Sequence, residues 1–267
     1  MQTQDKVALV TGANKGIGLE TARGLSELGI AIVIASRDEA KGRTAAETLK
    51  AEGKKNVAAV RFDVTRLEDH QQIARHLEDR YGKLDILVNN AGVMLEDSDF
   101  GAPGGFNTTP TVTPDVLRRT FETNFFAVVS LTQALLPLIR KAPAGRIVNL
   151  SSILGSLTLH SDPSSDIYDK KAFAYDASKT AINAFTVHLA QGAARDSDQG
   201  QLGSSRMGQD GHGRRGGSDG GLRRGQDKRA ACDPARRRPD RRILSPRSAA
   251  ALVMRTKPEP AGRNHCD

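Results

Sequence analysis

Short, unbroken apolar runs alternate with amphipathic stretches over the first two thirds of the chain. Lys6–Val10, Ile30–Ala35, Val57–Phe62, Leu84–Val88 and Arg146–Leu150 are too short for helices and lack the apolar/polar alternation of half-solvated strands, so they are predicted as buried strands. Helical spacing follows the first run up to Leu28-Gly29, where the glycine marks a stop. It recurs over Glu39–Gly53, about Leu67–Tyr81, about Pro114–Lys141 and Ala174–Ala190, with a Gly/Pro-rich loop ahead of the long fourth helix. Continuous Val/Ile/Leu strands alternating with helices predict a parallel sheet covered on both faces. The fold class is a doubly wound, Rossmann-like three-layer α/β/α domain, with its ligand crevice at the carboxyl ends of the strands.

The pattern stops near Ala190. Residues 1–190 carry 22 Lys and Arg against 22 Asp and Glu, so the whole net charge of +8 lies in residues 191–267. That stretch also holds both cysteines and 12 of the 26 glycines, and no Phe or Tyr. The expected organisation is a domain over residues 1–190 and a basic, Gly/Arg-rich tail too poor in large apolar residues to fold. No run approaches the roughly 18–20 consecutive apolar residues of a membrane span. Met1–Lys6 is too short and polar for a signal peptide, so a cytoplasmic location without membrane contact is expected.

Thr11-Gly-Ala-Asn-Lys-Gly-Ile-Gly18 joins the first strand to the first helix. Glycines there allow a tight turn and close backbone approach to a pyrophosphate, whose charge a helix N-terminus stabilises. Gly12, Asn14, Lys15, Gly16, Ile17 and Gly18 are the candidate residues. At the end of the second strand, an acidic residue would accept from a free ribose 2′-hydroxyl. Here Arg37 stands first, and its planar fork suits a 2′-phosphate, with Lys15 as a second cation. NADP is therefore expected ahead of NAD, although Asp38 keeps a hydroxyl partner open.

Tyr175 and Lys179 lie four residues apart, hence on one helix face. A phenol titrating near 10 is a poor acid–base group at neutral pH, and a neighbouring ammonium together with the positive nicotinamide of oxidised cofactor is expected to lower it. Ser152, at the end of the fifth strand, is placed to hydrogen-bond a carbonyl oxygen as charge develops on it.

These marks together resemble the short, single-domain branch of the short-chain dehydrogenase/reductase family, in its carbonyl-reductase-like form. The resemblance rests on Thr11-Gly-X-X-X-Gly-X-Gly18, Asp63-Val64, Asn89-Asn-Ala-Gly92, Asn124, Ser152 and Tyr175-X-X-X-Lys179, in order over residues 5–190. It implies that Asp63 and Val64 hold the adenine and that Asn90 lines the nucleotide cleft. It also implies that Asn124 fixes a water in a proton relay through Lys179 and the ribose to Tyr175. The reaction implied is hydride transfer between nicotinamide and a carbonyl or secondary alcohol, with no metal, and family members pair through their two long helices. The long spacing from Ser152 to Tyr175 and the loop Leu95–Thr113 are expected to border the substrate pocket. His160 and its neighbouring aspartates are read there as polar loop residues rather than metal ligands.

By the same resemblance, a sixth strand, a Pro-Gly turn and a seventh strand should follow Ala190, and none is legible. A disordered tail, a nucleic-acid-binding arm and a reading-frame error compete as explanations. Read one frame over with suitable third bases, Gln191–Gly213 yields KELRETPIKVNSAHPGWVKTDMG, which restores the missing strand and turn. The frame error is favoured, and specific nucleic-acid binding is not expected. The sheet would then end at its fifth strand with that edge uncovered, impairing the chain. A catalytically dead nucleotide-binding homologue, or an epimerase or dehydratase using the same Tyr–Lys pair, are the alternatives.

Overall fold

A computed structural model of the chain describes residues 6–96, 99–101, 103–206 and 251–255. Among the described residues, six strands form the main sheet. They are β1 (Val7–Thr11), β2 (Ala31–Ser36), β3 (Val57–Arg61), β4 (Ile86–Asn89), β6 (Arg146–Leu150) and β8 (Ala251–Arg255), in the order β3-β2-β1-β4-β6-β8. A separate two-stranded ribbon pairs β5 (Phe106–Asn107) with β7 (Lys170–Lys171). The helices are α1 (Gly16–Glu27), α2 (Glu39–Ala51), α3 (Leu67–Tyr81), α4 (Pro114–Phe121), α5 (Ala127–Arg140), α6 (Leu157–Ser161) and α7 (Phe173–Arg206).

The five predicted strands pair in parallel, and their residues alternate between two cores. Leu9, Val33, Leu87 and Ile147 pack with Ile73 and Leu77 of α3 and Leu131, Leu135 and Ile139 of α5. Ala8, Val10, Ile32 and Ile34 pack with Ala22 of α1 and Ala45 and Leu49 of α2 on the other face. Burial on both sides explains why the strands read as unbroken apolar runs. The segment 114–140 is long and apolar enough to cross a membrane, with mean hydropathy 1.3, but its apolar stripe faces this core.

The long fourth helix differs from expectation in its middle. Between α4 and α5 the chain makes one π-turn, Glu122–Phe126, whose extra residue per turn leaves Asn124 buried and facing inward.

The sheet does not end at its fifth strand. β8 adds to the outer edge of β6 in antiparallel register, from Arg146 opposite Arg255 to Leu150 opposite Ala251. An exposed edge offers backbone donors and acceptors that any short extended segment can satisfy, so a strand outside the family pattern fits there. Likewise α7 continues past Ala190 to Arg206. The expected disorder of residues 207–250 and 256–267 lies outside the described residues.

Candidate active site

β1 and β4 are adjacent although β2 follows β1 in sequence, so the strand order reverses between them and opens a crevice at their carboxyl ends. A cleft of about 640 Å³ occupies it. Gly12, Asn14, Lys15, Gly16, Ile17, Gly18, Arg37, Asp63, Val64, Asn90, Tyr175 and Lys179 all line this cleft, so every residue expected to hold the dinucleotide converges there.

The glycine loop is shaped by two constraints. Gly12 turns with φ of +64°, a left-handed conformation that favours glycine. At Gly18 a Cβ would lie 2.9 Å from both Ala13 Cα and the Gly12 carbonyl oxygen and would collide with the Asn90 amide. Asn90 seals the loop, its Nδ2 donating to the carbonyl oxygens of Thr11 at 2.8 Å and Gly12 at 3.3 Å. Thr11 Oγ1 accepts from the backbone N–H groups of Asn90 and Ala91, both at 3.0 Å, which ties β1 to the β4 turn.

The residues present fit a pyrophosphate. No side chain caps the N-terminus of α1, whereas Asp38 caps α2 and Thr113 caps α4. Gly16, Ile17 and Gly18 of the first turn of α1 line the cleft, where a helix start offers N–H donors to an anion.

At the ribose end, Asp38 accepts from the Lys41 N–H at 3.0 Å and pairs with Lys41 Nζ at 3.2 Å. The Lys41 N–H and ammonium hold its carboxyl below the usual carboxylate range. That engagement makes Asp38 a helix cap, and Arg37 beside it lines the cleft. Asp63 closes a turn by accepting from the Thr65 N–H at 3.0 Å and the Thr65 hydroxyl at 2.8 Å. Burial pushes its carboxyl up, but the Thr65 bonds and the charges of Arg37 and Arg61 outweigh that, and the net shift is downward.

The other end of the cleft is assembled from distant parts of the chain. Ser152 follows β6, where its Oγ accepts from the Leu154 N–H at 3.2 Å, and its hydroxyl is near enough to Tyr175 to pull the phenol down. This loop is tied to α7, because Thr180 Oγ1 and Asn183 Nδ2 donate to the Gly155 carbonyl at 3.1 and 3.3 Å. Lys179 is buried, and its Nζ donates to the Leu150 carbonyl at 2.8 Å and lies 5.4 Å from the centre of the Tyr175 ring.

One expectation needs revision. Burial raises the Tyr175 phenol above its ordinary value, the Ser152 hydroxyl lowers it and the Asp176 charge raises it, for a net upward shift. Burial also disfavours the Lys179 ammonium, bringing it down to about 8, and in the protein alone its charge does not lower the phenol. Asn124 lies near Lys179, its Oδ1 3.3 Å and Lys179 Nζ 3.6 Å from where a Gly92 Cβ would stand. Its Oδ1 accepts from the Val93 N–H at 2.8 Å, and its Nδ2 donates to the Val93 carbonyl at 2.8 Å and Ser178 Oγ at 3.0 Å.

Three polar residues, Glu96, Thr108 and Asp176, escaped the sequence reading, and His160, read as a polar loop residue, meets one of them. Glu96 and Thr108 bond the first turn of α7. His160 Nε2 lies 2.8 Å from the Leu154 carbonyl oxygen and 3.3 Å from Asp176 Oδ2, inside the long insertion. Burial and the Glu96 charge raise the Asp176 carboxyl to about 7. No spacing rule points to these contacts, which cross long stretches of chain.

The sequence profile of the family described as short chain dehydrogenase matches residues 6–197. The chain belongs to the short-chain dehydrogenase family. A carbonyl reductase [NADPH] 1 from Macaca fascicularis is 40% identical over 166 residues, covering 60% of this chain and 54% of that protein. A (−)-isopiperitenone reductase from Mentha piperita is 38% identical over 189 residues, covering 60% of each. Among solved structures, a short-chain dehydrogenase from Shigella flexneri complexed with NADP is similar at TM-score 0.60 and 29% identity, covering 73% of this chain and 75% of that one. Salutaridine reductase from Papaver somniferum is similar at TM-score 0.58 and 30% identity, covering 71% and 83%. The chain spans between 52% and 60% of the length of the curated relatives it matches.

Proposed function

We propose that this short-chain dehydrogenase is an NADP-dependent oxidoreductase acting on a small or medium carbonyl compound or secondary alcohol. One observation carries the reading: a single cleft has an uncapped helix N-terminus with Lys15 and Arg37 at one end and Tyr175 with Lys179 at the other. The relatives that include NADPH carbonyl reductases and the neighbours complexed with NADP support it.

The dinucleotide, when bound, supplies the hydride and the charge of its oxidised ring. Arg37 and Lys15 would pair with a 2′-phosphate, and the α1 backbone donors would take the pyrophosphate. Ser152 Oγ would hold a carbonyl oxygen, and the Tyr175 hydroxyl would protonate it. A buried phenol that keeps its proton is the form that donates to a developing alkoxide. Lys179 would hold the ribose beside Tyr175, and Asn124 would brace the loop at Val93 against α7. Copies would pair through α5 and α7, where Val187 of α7 is exposed, as is Phe126 at the start of α5.

The stretch after residue 190 is read as a shifted frame, which makes the given chain a poor enzyme. The family match ending at 197 supports this. The test follows NADPH oxidation with ketone, aldehyde and quinone substrates, using the given chain and a chain restored to the other frame. The restored chain is expected to turn over faster, to prefer NADPH to NADH, and to lose on the order of a hundredfold or more in kcat with Tyr175→Phe. Undiminished reduction by the Tyr175→Phe enzyme would remove this reading.

A further inference from the structure

The catalytic helix lacks a cap from its own sequence. The residue before α7 is Ala172, which has no side-chain acceptor, and Tyr175 stands third in the helix. The first turn of a helix carries unpaired donors and frays most readily, so this is a poor place for a group that must be held within a fraction of an ångström. The missing acceptors arrive from the loop after β4. Glu96 Oε1 accepts from the Ala174 N–H at 3.0 Å, and Glu96 Oε2 accepts from the Tyr175 N–H at 2.9 Å. Thr108 Oγ1 accepts from the Phe173 N–H at 3.0 Å and donates to Glu96 Oε1.

The same loop is fastened to the insertion that precedes α7. The Phe106 N–H donates to the Asp169 carbonyl and the Thr108 N–H to the Lys171 carbonyl, both at 2.9 Å, so β5 and β7 run side by side. Gly105 makes that approach with φ of +74°, and a Cβ there would collide with the Asp169 carbonyl oxygen. The two segments expected to rim the substrate pocket are therefore one body, and its contact with the chemistry is the cap on the Tyr175 turn.

We propose that Glu96, supported by Thr108, is a positioning residue that holds the Tyr175 phenol in its buried place and couples the substrate rim to it. The inference rests on Tyr175 being the acid–base group, as proposed above. Glu96 acts through backbone, does not line the nucleotide cleft, and its negative charge suits the N-terminal end of the helix dipole.

The test exploits the aromatic content of the chain, which has three tyrosines and no tryptophan. Ultraviolet titration of the full 267-residue chain, with and without Tyr175→Phe, isolates the Tyr175 transition from those of Tyr81 and Tyr168. With Glu96→Ala, water enters the first turn and the Tyr175 midpoint falls towards the ordinary phenol value of about 10. With Glu96→Gln, which keeps one acceptor oxygen, the fall is smaller, and Thr108→Val gives the smallest. On the active enzyme, Glu96→Ala lowers kcat about tenfold and leaves KM for NADPH within about twofold. A folded Glu96→Ala chain with the parental Tyr175 midpoint would overturn the proposal. If Glu96→Ala does not fold, unchanged midpoints in Glu96→Gln and Thr108→Val overturn it equally. Undiminished turnover by Tyr175→Phe would instead strike the functional reading and leave the titration result standing.

Discussion

The two ends of the cleft are built in different ways. The nucleotide end is made of short segments, each placed by its own strand: the glycine loop after β1, Arg37 after β2 and Asp63 after β3. The substrate end is made of single side chains from distant elements, with Glu96 bonding residues 78 and 79 positions away. A local turn carries its geometry with it, so it survives change elsewhere. A long-range cluster depends on every element that meets in it, and it can be loosened from outside the site.

The largest expected effect tests the substrate end. Ser152→Ala removes the hydroxyl near Tyr175 and should lower kcat by on the order of a hundredfold, read from NADPH oxidation, with cofactor affinity unchanged. At the nucleotide end, Gly18→Ala forces its Cβ against Ala13 and the Gly12 carbonyl. Overpacking of that kind costs about 1–3 kcal/mol, and both denaturant unfolding and NADPH titration should register it.

Arg37→Ala should shift cofactor choice and leave the chemistry alone. Loss of one charge-assisted contact predicts a fall of about tenfold in the preference for NADPH over NADH, measured as a ratio of kcat/KM values. A variant that lost kcat equally with both cofactors would show that the ends are not separable.

The smallest effect concerns Asp176. Its folded carboxyl titrates near 7, above the unfolded value, so the native state holds the proton more tightly. This contribution is fully present below the unfolded value and is lost as pH rises through 7. Asp176→Asn should therefore gain about 2 °C in Tm relative to the parent at pH 8 and gain nothing at pH 4, by thermal melts at both. Glu96, His160 and Lys171 surround the group, and the Glu96 charge is part of the cause.

Much of the fold was legible because burial leaves a direct trace in residue choice. Strands covered on both faces must be apolar throughout, and α3 was readable over its full length from Leu67 to Tyr81. β8 was not legible, because pairing along the open edge of β6 is a backbone affair that asks little of side chains. The two-residue strands β5 and β7 were missed for the same reason. Tyr175 and Lys179 were readable because one helix turn separates them, whereas the approach of Ser152 needed the loop after β6 to fold against α7.

From the chain of residues alone came the layered architecture, the glycine cradle and the identity of the candidate chemical groups, since these depend on local conformation and on periodic burial. The protonation of those groups came from the tertiary structure. Lys179 stands four residues from Tyr175 in any drawing of the helix, yet burial sets both of them away from their ordinary values. The Tyr175 turn owes its cap to Glu96, a residue that gains meaning only when the loop after β4 closes over α7. Desolvation and long-range hydrogen bonds are properties of a packed interior, and no spacing along the chain encodes them.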